Sequence, residues 1–231
     1  MTRKLSDYEK YIRTEELLSL QKKEVDLCCP DELTFQTVHQ ISELHFKLTI
    51  QYLELAKAFM EARNLPYAID HLSRVDTQIK HLSEVFNMVK VISQKDYHTI
   101  RTSLGQGSGQ DSPGFNQILK TGPTLWEPFE RILQENHLTV LELLKQGENH
   151  VLIFQLMQEL LTFDETFQTL RYHHIQLVKR MIGLDTNSLK GVPAQALEKG
   201  IKYEFYPKLW KGISEFTDFT GSSYNPKPLD E

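Results

Sequence analysis

The feature that most constrains the fold is helical periodicity: apolar residues recur every three or four positions throughout residues 151–182. The same spacing occurs in residues 8–20, 35–59, 72–91 and 129–144. Runs in which β-branched and polar residues alternate, the pattern of a half-buried strand, are essentially absent. The sequence therefore predicts an all-α fold, a compact helical bundle.

Glycine and proline predict where these helices begin and end. Pro30, followed by two acidic residues, suits a helix start, because proline is tolerated in the first turn and carboxylates favour its positive end. Gly183 suits the end of the last long helix, whose final turn carries basic residues. Residues 105–114, rich in Gly and Ser, predict a mobile loop, and residues 184–193 a second irregular stretch.

Length and charge narrow the class of protein. A chain of 231 residues fits a single domain, 1–231, with a flexible tail at 221–231. Its net charge of −5 provides no general attraction to nucleic acid or to an anionic membrane. No apolar run approaches the roughly 20 residues that cross a bilayer. We therefore expect neither a nucleic-acid nor a membrane partner.

Cysteine usage and the first residues indicate the compartment. The two cysteines, Cys28 and Cys29, are adjacent, a geometry in which a disulfide is strained. They do not form a metal-binding spacing with histidines. The first residues carry charges but lack the apolar core of a secretion signal. A cytoplasmic location is the expectation.

His39 is the first candidate for chemistry. It shares one helix face with Phe35 and Glu43, at spacings of four residues. A core histidine that bonds a backbone carbonyl is the common explanation for such a residue, and a catalytic or binding role is the alternative. Three carboxylates, Glu16, Glu43 and Asp164, are expected to be solvated or salt-bridged rather than catalytic.

The adjacent pair His173 and His174 is the second candidate. Neighbouring residues of a helix point about 100° apart, so only one of the two can face a given pocket. His174 shares its face with Leu170, Leu177 and Met181, which suit contact with an apolar macrocycle. A neutral imidazole is a common ligand of haem iron. An ordinary amphipathic helix with a boundary histidine is the alternative.

Tyr97 and Arg101 form a third candidate, one helical turn apart and just before the glycine-rich loop. A guanidinium can bind a carboxylate through two parallel hydrogen bonds, which suits an amino-acid substrate. A surface arginine before a linker is the alternative. The loop sequence LGQGSGQ lacks the GK[ST] of a phosphate-binding loop, so nucleotide binding is weakly supported.

In order along the chain, five segments resemble the tryptophan 2,3-dioxygenase family, which belongs to the haem-dependent aromatic oxygenases. They are DYEKYI with the following ELLSLQ, then DELTFQTVHQISELHFK, the stretch ending in DYHTIR, LGQGSG, and DETFQTLRYHHIQLVKRMIG. These segments cover most of residues 5–115 and 164–192. The stretch FYPKLW also resembles the family, but more weakly. Because they agree in order and internal spacing, the resemblance is specific.

The resemblance implies a haem b, buried between the helices, whose iron is bound by His174 with Phe86 beside the cofactor. It implies a dioxygenase that inserts O₂ across the indole C2–C3 bond of L-tryptophan or a close derivative, giving an N-formylkynurenine-type product. His39 is the implied catalytic residue. A homotetramer, or at least a dimer, is implied, with residues 1–20 contacting a neighbouring subunit. The implied substrate-binding residues are Phe35, Tyr97, Arg101, Ser108, Gly109, Thr186, Tyr8, Tyr11 and Ile12.

Several departures from the family pattern leave alternatives open. His45 stands where the family has a tryptophan, and the chain is much shorter than typical members between residues 115 and 164. The family's GTGGSSG stretch is replaced by LDTNSLKGVP. The first alternative is a haem-dependent monooxygenase or peroxygenase of an indole or another aromatic amino acid in a specialised pathway. The second is a non-enzymatic haem-binding or scaffold protein, which would not need a carboxylate clamp such as Arg101.

Overall fold

The computed structural model describes residues 3–105, 107, 109–187, 191, 193–194 and 196–221. Within these ranges the regular structure is helical, apart from one isolated β-bridge between Asn187 and Pro193. The all-α prediction is therefore confirmed for the described residues. The helices are α1 (Asp7–Ile12), α2 (Thr14–Ser19), α3 (Glu32–Glu61), α4 (Leu65–Val89), α5 (Gln94–Ser103), α6 (Pro113–Thr121), α7 (Trp126–Glu135), α8 (Val140–Lys145), α9 (Val151–Ile182), α10 (Ala196–Ile201) and α11 (Pro207–Phe219).

The main core is formed by the three long helices, because α4 packs against both α3 and α9. Helices α6 and α7 add to it from the side of α3. Fully buried side chains include Leu53, Leu72 and Phe163, one from each long helix. Burying a side chain of this size contributes roughly 1.5–3 kcal/mol, so the three apolar stripes are what hold the bundle together.

A second, smaller apolar cluster joins one end of the long helices to α5. It contains Val38 of α3, Val89 of α4, Ile100 of α5 and Met181 of α9. All four side chains are buried. This cluster holds the beginning of α3 and the end of α9 together, which are the segments that carry His39 and His174.

The ends of α3 and α9 lie close to the predicted positions. Helix α3 begins at Glu32, after Asp31. Helix α9 ends at Ile182, and Gly183 adopts a φ of 75°, in the region that favours glycine. The backbone N–H of Gly183 donates to the carbonyl of Lys179 and closes the last turn. Local sequence signals therefore located the start of α3 and the end of α9, the two helices that carry the candidate histidines.

The periodic stretch of residues 8–20 is helical but not one continuous helix, because the chain breaks at Arg13. Arg13 has a φ of 55° and separates α1 from α2. The side chains of Ser6 and Glu9 form a capping box that stabilises α1 locally. Neither short helix buries a residue, so no packing energy holds the two in one continuous helix.

The periodic stretch of residues 129–144 is likewise divided between two helices. Helix α7 ends at Glu135, and His137 adopts a φ of 56°. Thr139 and Glu142 then form a capping box that begins α8. The T-x-x-E signal is present in the sequence, but the apolar periodicity runs through it and conceals the break.

Asp164 is neither solvated nor salt-bridged, contrary to expectation: it is a fully buried hydrogen-bond acceptor on α9. Its carboxylate accepts from the backbone N–H groups of Phe205 (3.0 Å) and Tyr206 (3.1 Å). It also accepts from the indole Nε1–H of Trp210 at 3.0 Å. These bonds attach the FYPKLW stretch, residues 205–210 at the start of α11, to the helix that carries His174.

Candidate active site

His174 faces the protein interior, whereas its neighbour His173 is exposed. The ring of Phe86, from α4, lies 6.0 Å from the His174 ring between centroids. Gly109, from the glycine-rich loop, lies on another side. A Cβ atom built there would be 3.7 Å from the Nε2 atom of His174. The structure thus brings together three residues that the sequence analysis placed at the cofactor or substrate.

The imidazole of His174 is neutral at physiological pH. Burial lowers its pKa to about 4, and the nearby imidazole of His39 contributes to the shift. A neutral imidazole keeps a lone pair on one ring nitrogen, which is the form that binds a metal ion. His174 therefore has the protonation state that binding of a metal ion requires.

His39, on α3, has a defined tautomer. Its Nδ1 lies 2.7 Å from the carbonyl oxygen of Phe35, one helical turn earlier, so Nδ1 carries the proton and donates it. The Nε2 atom is left as an acceptor. The side chain is accessible to solvent, yet the surrounding protein lowers its pKa by desolvation. This combination is expected of a side chain that lines a recess, so we take His39 to be neutral and accessible to a ligand.

Aromatic side chains surround His39 on one side. The rings of Phe35 and His39 lie 4.1 Å apart between centroids, and the ring of Tyr97 lies 6.0 Å from that of Phe35. Burial raises the pKa of Tyr97, and the charge of Arg101 partly opposes this shift. Four of the predicted site residues thus lie together where α3 meets α5, around an apolar surface suited to a flat aromatic ring.

Arg101 contacts the loop that follows α9. Its Nη2 donates to the carbonyl oxygen of Asn187 at 2.5 Å. The hydroxyl of the adjacent Thr186 lies within bonding distance of two backbone carbonyls at the end of α9, those of Ile182 (3.2 Å) and Gly183 (3.1 Å). Thr186 is thus near Arg101, but its hydroxyl donates to backbone carbonyls at the end of α9.

The remaining predicted residues do not line this recess within the described chain. Ser108 lies outside the described residues, as does the tail beyond Gly221. On α1, Tyr8 is 71%, Tyr11 89% and Ile12 37% exposed. These three residues are predicted to contact a neighbouring subunit, and the structure consists of a single chain.

Glu43 was expected to be solvated or salt-bridged, but the structure gives its carboxylate two hydrogen-bond donors from a distant part of the chain. Its carboxylate accepts from the hydroxyl of Ser112 at 2.5 Å and from the backbone N–H of Gly114 at 3.1 Å. The available signal was the spacing of Glu43 from His39 on one helix face. Its partners lie far along the chain, so spacing alone did not identify them.

The fold and these contacts define an all-α protein in which two neutral histidines, one of them buried, each lie beside an aromatic side chain. A family model described as tryptophan 2,3-dioxygenase matches residues 2–121, just over half of the chain. The chain therefore belongs to the tryptophan 2,3-dioxygenase family and is an oxidoreductase of that type. The matched range contains Phe35, His39, Tyr97 and Arg101.

Similarity to individual relatives extends over most of the chain. A tryptophan 2,3-dioxygenase of Shewanella woodyi is 23% identical and covers 88% of this chain and 88% of its own length. That of Herpetosiphon aurantiacus is 24% identical, over 88% of this chain and 95% of its own. That of Erythrobacter litoralis is 25% identical, over 87% and 95%. None of the helices among the described residues is long and apolar enough to span a membrane.

Proposed function

We propose that the protein is a haem-dependent dioxygenase that inserts both atoms of O₂ across the indole C2–C3 bond of L-tryptophan or a close derivative. The product is of the N-formylkynurenine type. The observation that carries the proposal is the electrostatic coupling of the buried His174 on α9 to His39 on α3, each with an aromatic ring beside it. Family membership supplies the reaction class.

The residues around His174 fit a haem b. The neutral imidazole presents a lone pair, and Phe86 provides an apolar surface. In this proposal His174 binds the iron and Phe86 contacts the porphyrin. When bound, the haem supplies the oxygen chemistry, and the protein binds and orients the substrate.

His39 is proposed to bind the indole. Because Nδ1–H donates to the carbonyl of Phe35, Nε2 is available to accept a hydrogen bond from the indole N–H. The rings of Phe35 and Tyr97 enclose the aromatic part of the substrate and exclude water from it. This arrangement fixes the reacting edge of the indole, so much of the rate enhancement is positional.

Arg101 is proposed to bind the substrate carboxylate. Its guanidinium has several N–H donors, so the bond to Asn187 leaves others for a bidentate contact. Gly109 and Ser108 are proposed to contact the substrate from the glycine-rich loop, and Thr186 from the loop after α9. An amino acid would thus be recognised at both its ring and its charged end.

A second candidate function is a monooxygenase or peroxygenase of another indole or aromatic amino acid. The observation that favours it is the use of the Thr186 hydroxyl at the end of α9, where it is turned to the carbonyls of Ile182 and Gly183. The loop after α9 therefore restricts the identity of the substrate less than the residues around His39 do. A reaction of this kind requires an external reductant or peroxide and adds one oxygen atom.

The assembly is proposed to be a homotetramer, or at least a dimer, of single-domain chains. The exposed Tyr8 and Tyr11 support this, because aromatic rings one turn apart on a helix suit contact with a partner surface. In the proposal, residues 1–20 contact the neighbouring subunit and contribute to its substrate site. The free thiols of Cys28 and Cys29 agree with a reducing, cytoplasmic location.

The test is a single-turnover reaction of the reduced, haem-loaded protein with L-tryptophan and ¹⁸O₂, followed by the product mass. A gain of two labelled oxygen atoms supports the dioxygenase, and a gain of one selects the second candidate. Substituted indoles without a carboxylate are assayed in parallel to define the substrate class. His174→Ala serves as the control, and product formation by that variant would contradict the proposal.

A further inference from the structure

The glycine-rich loop is anchored to the helix that carries His39. Glu43 lies on α3, one turn after His39, and accepts two hydrogen bonds from residues at the start of α6. Ser112 is also the N-cap of α6, because its hydroxyl accepts from the backbone N–H of Phe115 at 3.1 Å. One hydroxyl thus links the carboxylate of α3 to the first turn of α6.

Close packing at Gly114 strengthens this anchor. A Cβ atom built at Gly114 would lie 2.5 Å from the Cβ of Phe46 and 2.7 Å from Oε2 of Glu43. Neither neighbour can yield cheaply, because one contact is with the base of a buried side chain and the other would break the Glu43 bond. Glycine is therefore needed for the start of α6 to approach α3.

From this anchor, contacts continue to the His174 side of the recess. The side chain of Asn116, on α6, donates to the backbone carbonyl of Gln110 at 2.9 Å. Gln110 belongs to the short 3₁₀ turn that begins at Gly109. Gly109 is the residue beside Nε2 of His174. A continuous path of hydrogen bonds and backbone therefore leads from Glu43 to the surface of His174.

We propose that Glu43 is a positioning residue: it fixes the C-terminal arm of the glycine-rich loop, residues 109–114, between the His39 helix and His174. The carboxylate contacts neither the reacting atoms nor the cofactor. It acts through Ser112 and Gly114, which set where Gly109 lies. This inference rests on the proposed function only in that the positioned loop contacts the substrate.

The first test is hydrogen–deuterium exchange of the full-length protein. In Glu43→Gln the charge is lost, and only one of the two oxygens that accept from Ser112 and Gly114 remains. We expect amides in peptides spanning residues 104–121 to exchange about tenfold faster, the effect of losing one bond to a charged acceptor. The matched control is Glu54→Gln, an exposed glutamate on the same helix, with wild-type exchange expected. Equal exchange in the two variants would overturn the proposal.

A second pair of variants tests the same arm without changing any charge. Gly114→Ala forces the start of α6 away from Phe46, so it should accelerate exchange in the same peptides as Glu43→Gln. Gly200→Ala is its control, because a Cβ there meets no atom within 4 Å. If Glu43→Gln does not fold, Ser112→Ala removes one of the two bonds and keeps the carboxylate. Wild-type exchange in Gly114→Ala would contradict the proposed role of the arm.

The kinetic readout separates positioning from general stability. Glu43→Gln should raise the KM for tryptophan several-fold and lower kcat less, whereas Glu54→Gln should change neither. An unchanged KM together with faster exchange would refute the positioning role, because the arm would then have loosened without any effect on substrate binding. A wild-type protein that does not oxidise tryptophan would refute the proposed function instead. The exchange experiments would still test whether Glu43 anchors residues 109–114.

Discussion

The imidazoles of His39 and His174 share one electrostatic environment, although they belong to helices at opposite ends of the chain. Burial is the main cause of the lowered pKa of His174, and a charge on His39 would lower it further. Both side chains are therefore held neutral near pH 7. One retains a lone pair that can bind iron, and the other retains an acceptor for an indole N–H.

His174→Ala should abolish stable haem binding, because His174 is directed inward and its neighbour His173 is not. His173→Ala is the matched control, since the neighbouring imidazole is exposed. Titration with haemin, followed by the Soret absorbance, measures the difference. Equal loss of binding in both variants would show that the ligand assignment is wrong.

Arg101→Leu should weaken the binding of amino-acid substrates far more than that of indoles without a carboxylate. A bidentate bond between guanidinium and carboxylate is worth roughly 1.5–3 kcal/mol, so the dissociation constant for tryptophan should rise about tenfold or more. Binding titrations with tryptophan and with 3-methylindole measure the two effects. A similar change for both ligands would exclude a carboxylate clamp.

Asp164→Ala should destabilise the fold by about 3–5 kcal/mol, because it leaves several buried N–H donors without an acceptor. The affected groups are the backbone N–H of Phe205 and Tyr206 and the indole of Trp210. Chemical denaturation measures the free energy of unfolding. Glu165→Ala, at the adjacent exposed position, is the control and should be nearly neutral. A comparable effect in the two variants would argue against the buried acceptor role.

Glu159→Gln should stabilise the protein at neutral pH. Burial raises the pKa of Glu159 above its ordinary value of 4.5, and the nearby carboxylate of Asp76 adds to the shift. The folded state thus disfavours the charged form, so the penalty is present above the raised pKa and disappears below 4.5. Melting temperatures of the variant and wild type should therefore differ at pH 7 and converge near pH 4. A difference that does not depend on pH would point to a cause other than charge.

Removal of residues 1–12 should lower activity while the haem spectrum is retained. Tyr8 and Tyr11 are exposed in the single chain, and the proposed assembly places them at a neighbouring subunit. Activity and the Soret band are measured on the same preparation, with size-exclusion chromatography to record the assembly. Full activity in the truncated protein would exclude a substrate-site role for this segment.

Local sequence signals predicted the long helices well, for a physical reason. Each long helix buries one apolar stripe, so its periodicity is visible without knowledge of its partner. The glycine at position 183 marked the end of α9 because the left-handed conformation there disfavours other residues. The same reasoning failed at Arg13 and His137, where a non-glycine residue adopts that conformation and breaks an otherwise periodic stretch.

By itself, the sequence determined the all-α class, the three long helices and the choice of His174 over His173 as the inward residue, because these depend on spacing along one helix. Only the tertiary structure revealed what Glu43 and Asp164 do. Their partners, Gly114 and Trp210 among them, are brought close by the packing of separate helices. A carboxylate on a helix face has the same local pattern whether it meets water or a buried N–H group, so the packing of the chain decides its role.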